Sequence, residues 1–125
     1  MNLSNATVGQ LMIPVDDLDR AVTFYRDVLG LKFLFTAPPQ MAFFMCGDVR
    51  LLVGVLPEGS AAQRGGGVYF KVDDIRGVAA TLESGGVRFS AAPHVVHRAP
   101  DYELWLAEFF DPDGNRLALM SEVRA

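Results

Sequence analysis

Apolar and polar positions along this chain follow two periods, and the change between them occurs twice in the same order. Gln10 to Val15 is short, apolar and rich in β-compatible residues, which predicts a strand. Asp16 and Asp17 then offer an N-cap and favourable first-turn charge. Leu18, Ala21, Val22, Tyr25, Val28 and Leu29 recur at three-to-four spacing, the stripe of an amphipathic helix that Gly30 can stop. Leu31 to Ala37 reads as a strand broken by Pro38-Pro39, and Met41–Cys46 with Val49–Val55 as a hairpin around Gly47-Asp48. After a Gly- and Pro-bearing stretch, Gly67–Val72 is a strand, Ile75–Ser84 a helix and Gly85-Gly86 its stop. Val87–Arg98 is a long strand interrupted at Pro93. Glu103–Phe110 follows, then a tight turn over Asp111–Asn115 and a last strand, Arg116–Ser121.

The two halves echo one another in residues as well as in period. Val15-Asp16-Asp17-Leu18 returns as Val72-Asp73-Asp74-Ile75, an offset of 57. Leu29-Gly30-Leu31-Lys32-Phe33 returns as Gly85-Gly86-Val87-Arg88-Phe89, an offset of 56. Arg50-Leu51-Leu52-Val53 returns as Arg116-Leu117-Ala118-Leu119, an offset of 66. Three echoes in one order make an internal repeat, and the growth of the offset gives the second half about ten extra residues before its last strand.

Composition narrows the picture. At 125 residues the chain fits one domain, residues 1–125, able to bury a core without disulfides. Half of it is hydrophobic and 21% is charged, as in ordinary globular proteins. A net charge of −4 without a Lys/Arg run speaks against nucleic acid and fits a cationic ligand slightly better than an anionic one. Cys46 is the only cysteine, so no intrachain disulfide or cysteine metal cluster forms. The first six residues lack a basic n-region and an apolar h-region, and no apolar run reaches the ~20 residues that span a bilayer. The expectation is a cytoplasmic protein without a membrane partner.

Strand-Val-Asp-Asp-Leu, then Phe24-Tyr25-Arg26-Asp27-Val28-Leu29-Gly30-Leu31, then Asp111-Pro112-Asp113-Gly114-Asn115 near the end resembles the vicinal-oxygen-chelate superfamily of glyoxalases, bleomycin-resistance proteins and extradiol dioxygenases. The resemblance covers nearly the whole chain. It implies an α+β fold of two βαβββ modules, about 7–55 and 67–122 with a linker at 56–66, whose mixed sheet is concave around a ligand cavity. It also implies a homodimer. Phe24 and Tyr25 read as helix packing, and Asp111–Asn115 as turn chemistry, rather than as catalytic groups.

In metal-dependent relatives each module gives one ligand from its first strand and one from its last. The corresponding positions here are Gln10, Leu52, Gly67 and Ala118, related in pairs by the offsets of 57 and 66. Leucine, glycine and alanine have no side-chain donor, and one neutral amide does not hold a divalent cation. No metal and no other cofactor is therefore expected.

The extra residues carry most of the remaining polar chemistry, including His94, His97, Arg98, Glu103 and Trp105. With a turn at Ala99–Tyr102, Arg98 is expected opposite Glu103, Val96 opposite Trp105 and His94 opposite Ala107, while His97, Leu104, Leu106, Pro93 and Glu108 collect on the other face. Glu108 sits in an apolar run, at the position that points into the cavity of the resembling thiol transferases. Two functions follow. The first is a metal-independent binding protein with a partly apolar small-molecule ligand. Its pocket would be lined by Phe35, Phe43, Phe44, Leu52, Leu104 and Leu106, with Gln10, Arg98, Glu103, Trp105 and Ala118 as further contacts. Bleomycin-resistance relatives, which also lack the metal, sequester a cationic drug. The second is a lyase- or isomerase-like enzyme in which His97 or His94 transfers a proton, Glu108 orients it and Arg98 holds an anionic group.

Overall fold

In a computed structural model of the chain, which describes residues 1–2, 4–5, 7–56 and 67–124, the repeated Asp-Asp pair starts both helices. Asp17 accepts a hydrogen bond from the Arg20 amide at 3.1 Å and Asp74 one from the Gly77 amide at 3.0 Å, each satisfying a donor that a helix start leaves unpaired. Two compact units divide the chain, Met1–Gln63 and Arg64–Ala125. The expected linker falls almost wholly at 57–66, outside the described residues.

The first unit runs β1 (Gln10–Val15), α1 (Leu18–Val22) continuing as a π-helical segment (Thr23–Val28), β2 (Lys32–Ala37), β3 (Met41–Cys46) and β4 (Val49–Val55). Sheet A has the order β1-β4-β3-β2, with β1 parallel to β4 and the other neighbours antiparallel. The wider π turn lets two successive aromatics, Phe24 and Tyr25, both face inward, and Leu29 closes it through the Phe24 carbonyl at 2.9 Å. Gly30, at φ +76°, then ends the helix. Ile13, Val15, Ala42, Phe44, Leu51 and Val53 meet this helix on one face of the sheet, all buried. Each large side chain so buried contributes about 1.5–3 kcal/mol.

The second unit repeats the plan as β5 (Val68–Lys71), α2 (Ile75–Ser84), β6 (Phe89–Arg98), β7 (Tyr102–Phe110) and β8 (Arg116–Arg124), giving sheet B in the order β5-β8-β7-β6. Its core faces α2 through Phe70, Ala107, Phe109, Leu117 and Leu119 against Ile75, Ala79 and Leu82. Together the two mixed sheets and few helices make the expected two-module α+β fold. The extra residues lengthen the β6–β7 hairpin, whose strands have 10 and 9 residues where β2 and β3 have 6 each. Two strand readings change. Pro93 does not interrupt β6, because β6 is an edge strand and a register shift between Ala91 and His94 absorbs the missing donor. The last strand does not stop at Ser121 but runs to Arg124, because Tyr102 and Glu103 extend β7 opposite it.

The Asp-Pro-Asp-Gly-Asn motif is a turn, as its composition predicts. Buried Asp111 accepts from the amides of Asp113 and Asn115 at 2.9 and 2.8 Å and from Asn115 Nδ2 at 2.8 Å, while Gly114 takes φ +84°.

Candidate functional site

Each sheet packs one face against its helix, so the chemistry available to a ligand is that of the other face. On sheet A the register arranges that face in three rows. Gln10, Arg50, Met45 and Lys32 form one row; Met12, Leu52, Phe43 and Phe35 form the next; Pro14, Gly54, Met41 and Ala37 form the third. A groove of about 570 Å³ opens at the end of this face, lined among others by Met12, Pro39, Met41, Leu52 and Val55. Phe35 and Phe43 stack at 4.6 Å between ring centroids, 27° from parallel.

Phe35 reaches this face because of an irregularity invisible to strand parity. Phe33 pairs with Phe44 and Phe35 with Phe43, so an extra residue at Leu34 turns the strand over. Phe44, expected in the pocket, is corrected to the core. It is fully buried against Tyr25 and Phe33 on the helix side, since adjacent residues of a strand face opposite ways.

Sheet B presents a more polar face. Tyr69 and Lys71 on β5, Arg116, Ala118, Met120 and Glu122 on β8, Leu104, Leu106 and Glu108 on β7, and His94 and His97 on β6 share it. Its charges are paired. Lys71 bridges Glu122 at 3.1 Å, and Arg116 makes a short, charge-assisted hydrogen bond to Glu108. That bond pushes the Arg116 guanidinium above its ordinary range.

The long hairpin corrects part of the expected register. Arg98 does lie opposite Glu103 and bridges it at 3.0 Å. However, Val95 rather than Val96 lies opposite Trp105, and His94 faces Leu106 rather than Ala107, because an extra residue at Val96 shifts the pairs farther from the turn. His94 therefore joins His97 and Glu108 on one face. Arg98, Glu103 and Trp105 lie on the helix side instead, where the Arg76 guanidinium stacks 4.6 Å from the Trp105 ring and the indole N–H reaches Glu103 at 3.4 Å. The proposed proton-transfer pair is not assembled. His97 pairs at Leu104, four residues and about 13 Å along β7 from Glu108. Glu108 turns to Arg116, and His94 Nδ1 lies 2.7 Å from the Ala92 carbonyl.

The four positions that the resemblance maps to metal ligands, Gln10, Leu52, Gly67 and Ala118, all lie on these open faces. Gln10 already accepts a hydrogen bond through Oε1 from Arg50 Nε at 2.9 Å, and Leu52 is part of the apolar groove wall. Gly67 and Ala118 border a notch of about 260 Å³ with Tyr69 and Arg116. A Cβ added at Gly67 would come within 3.1 Å of the Arg116 carbonyl oxygen, so a ligating side chain there requires the start of β8 to yield. Among the described residues, no three His, Cys, Asp or Glu side chains form a group able to hold a metal. These side chains do not fit a divalent cation. Also among the described residues, no helix is long and apolar enough to cross a membrane.

Arg50, on the open face of sheet A, was not among the residues singled out from the sequence. The signal was present in the Arg50–Arg116 echo, which places an arginine two residues before the ligand position of each last strand.

Comparison with known proteins adds the relationships. The model of the Glyoxalase/Bleomycin resistance protein/Dioxygenase superfamily matches residues 7–119. A glyoxylase-like domain-containing protein of Didymella fabae is 27% identical over 120 residues, covering 90% of this chain and 91% of its own. The crystal structure of a lactoylglutathione lyase from Agrobacterium tumefaciens is similar with a TM-score of 0.74 at 28% identity, over 94% of this chain and 95% of that one. TnmS3, an antibiotic binding protein from Streptomyces sp. CB03234, gives a TM-score of 0.77 at 23% identity, over 97% and 99% of the two chains. At that identity the likeness to TnmS3 is one of fold.

Proposed function

The chain belongs to the glyoxalase/bleomycin-resistance/dioxygenase superfamily, and from that premise we propose that it is a metal-independent binding protein for a partly apolar small molecule. The observation that carries the reading is Leu52. At a position that the resemblance maps to a metal ligand, this chain has an apolar side chain that forms part of a groove wall with Met12, Met41 and Val55. A wall of this kind gains free energy by covering hydrocarbon, about 25 cal/mol for each Å² removed from water. It gives a cation nothing to bind. TnmS3, whose name states antibiotic binding, has the same fold, so the fold is compatible with a binding role. The lyase has the fold as well, but Glu108 is engaged by Arg116 rather than by His97 or His94, which favours the binding reading over proton transfer.

The test is native mass spectrometry of the purified protein, paired with metal analysis of the same sample. The reading expects a small molecule retained at up to one per chain and a divalent metal far below one per chain. Stoichiometric metal held at Gln10, or catalytic consumption of the retained molecule, would overturn it.

A further inference from the structure

The charge of the open face of sheet A differs in kind from that of sheet B. On sheet B, both Lys71 and Arg116 are matched by carboxylates. On sheet A, Arg50 is held by neutral groups only: Gln10 Oε1 takes its Nε–H at 2.9 Å, and its guanidinium lies 5.4 Å from the centroid of the Phe43 ring. Its terminal nitrogens have no carboxylate partner among the described residues. Lys32 stands in the same row, separated from Arg50 by Met45, and it too lacks a carboxylate among the described residues. The row beside them is wholly apolar, running Met12, Leu52, Phe43 and Phe35.

We infer that this face takes a flat aromatic ligand bearing a carboxylate or similar oxyanion, its ring on the Phe43–Leu52–Met12 row and its anion on Arg50. The chemistry follows from the two rows together. The stacked Phe35–Phe43 pair and the methionines offer an apolar, polarizable surface to a ring. Arg50 is oriented in advance by an amide and an aromatic ring, neither of which neutralises it, so its remaining N–H groups can form a forked pair with a carboxylate. Leu52 and Arg50 are two residues apart on β4, about 7 Å, a distance that a bicyclic aromatic acid covers. The acidic balance of the whole chain slightly favours a cationic ligand, but the local charge on this face has the opposite sign and acts at contact distance.

This inference rests on the small-molecule reading and narrows it, so its test uses matched probes that separate the two. Binding of 2-naphthoate and of its neutral isostere 2-naphthamide is measured by calorimetry with the wild-type chain, R50Q and R50K, each first checked for an unchanged circular dichroism spectrum and thermal midpoint. The expected result is about tenfold tighter binding of naphthoate than of naphthamide by the wild type. R50Q should lose that preference while keeping its affinity for naphthamide, and R50K, which keeps the charge but not the fork, should retain only part of it. Equal affinity of the wild type for both probes overturns the inference and leaves the apolar binding face standing. Failure of naphthoate to bind overturns it too, with the broader reading then decided by the retained molecule in native mass spectrometry. Probe affinity that falls as protein concentration rises would assign the face to a second copy of the chain, and would likewise overturn it.

Discussion

Replacing Asp111 by alanine tests whether the family's Asp-Pro-Asp-Gly-Asn motif acts through structure or through chemistry. Asp111 is only 5% exposed and accepts hydrogen bonds from the Asp113 amide and from the amide and Nδ2 of Asn115, which is 8% exposed. The alanine variant removes these acceptors from the buried Asn115 amide and Nδ2, at about 1–3 kcal/mol each. Allowing for local relaxation, the expected loss is about 3 kcal/mol, or a fall of roughly 10 °C in Tm for a domain of this size. Urea unfolding followed by the fluorescence of Trp105, the only tryptophan, reports it. Asp111→Asn keeps one acceptor oxygen and should lose about half as much. A loss below about 1 kcal/mol in Asp111→Ala, or lost ligand binding with stability intact, would refute the structural assignment.

Other predictions concern single side chains. Phe44→Ala should cost about 3–5 kcal/mol, because Phe44 is fully buried against Tyr25 and Phe33, whereas Phe43→Ala on the open face should cost about 1 kcal/mol and weaken 2-naphthamide binding several-fold. Denaturant midpoints and calorimetry on the two neighbours check this, and equal stability losses would contradict the facing of β3. Burial pushes the Cys46 thiol above its ordinary pKa, so less thiolate is present at any given pH. Its alkylation by iodoacetamide at pH 8.5 should accordingly be slower than that of an exposed cysteine in a short peptide; an equal rate would contradict the burial.

The parts of the structure legible in the sequence are those written in regular periods. The Asp-Asp caps, the helical stripes and the glycine stops depend on local spacing, and their repetition revealed both modules before any contact was known. What escaped depends on single inserted residues. An extra residue at Leu34 brings Phe35 to the open face, and another at Val96 moves His94 beside Leu106; neither changes the hydrophobic pattern of its strand. Phe43 and Phe44 are equally apolar, and only the sheet register tells which one meets the helix. The Arg50–Arg116 echo was equally plain in the sequence, but its two arginines differ in what surrounds them. Module 1 has Gln10 on its first strand to hold Arg50, while module 2 has Gly67 there and uses Glu108 to hold Arg116. One member of the echo is thus neutralised and the other is not.

The most direct test of a binding face that needs no metal is the affinity of one probe before and after metal is stripped. The chain is dialysed against EDTA, verified metal-free, and titrated with 2-naphthoate beside a sample saturated with zinc. The same Kd is expected in both samples, within about twofold. Binding that disappears in the stripped protein and returns with zinc would contradict it.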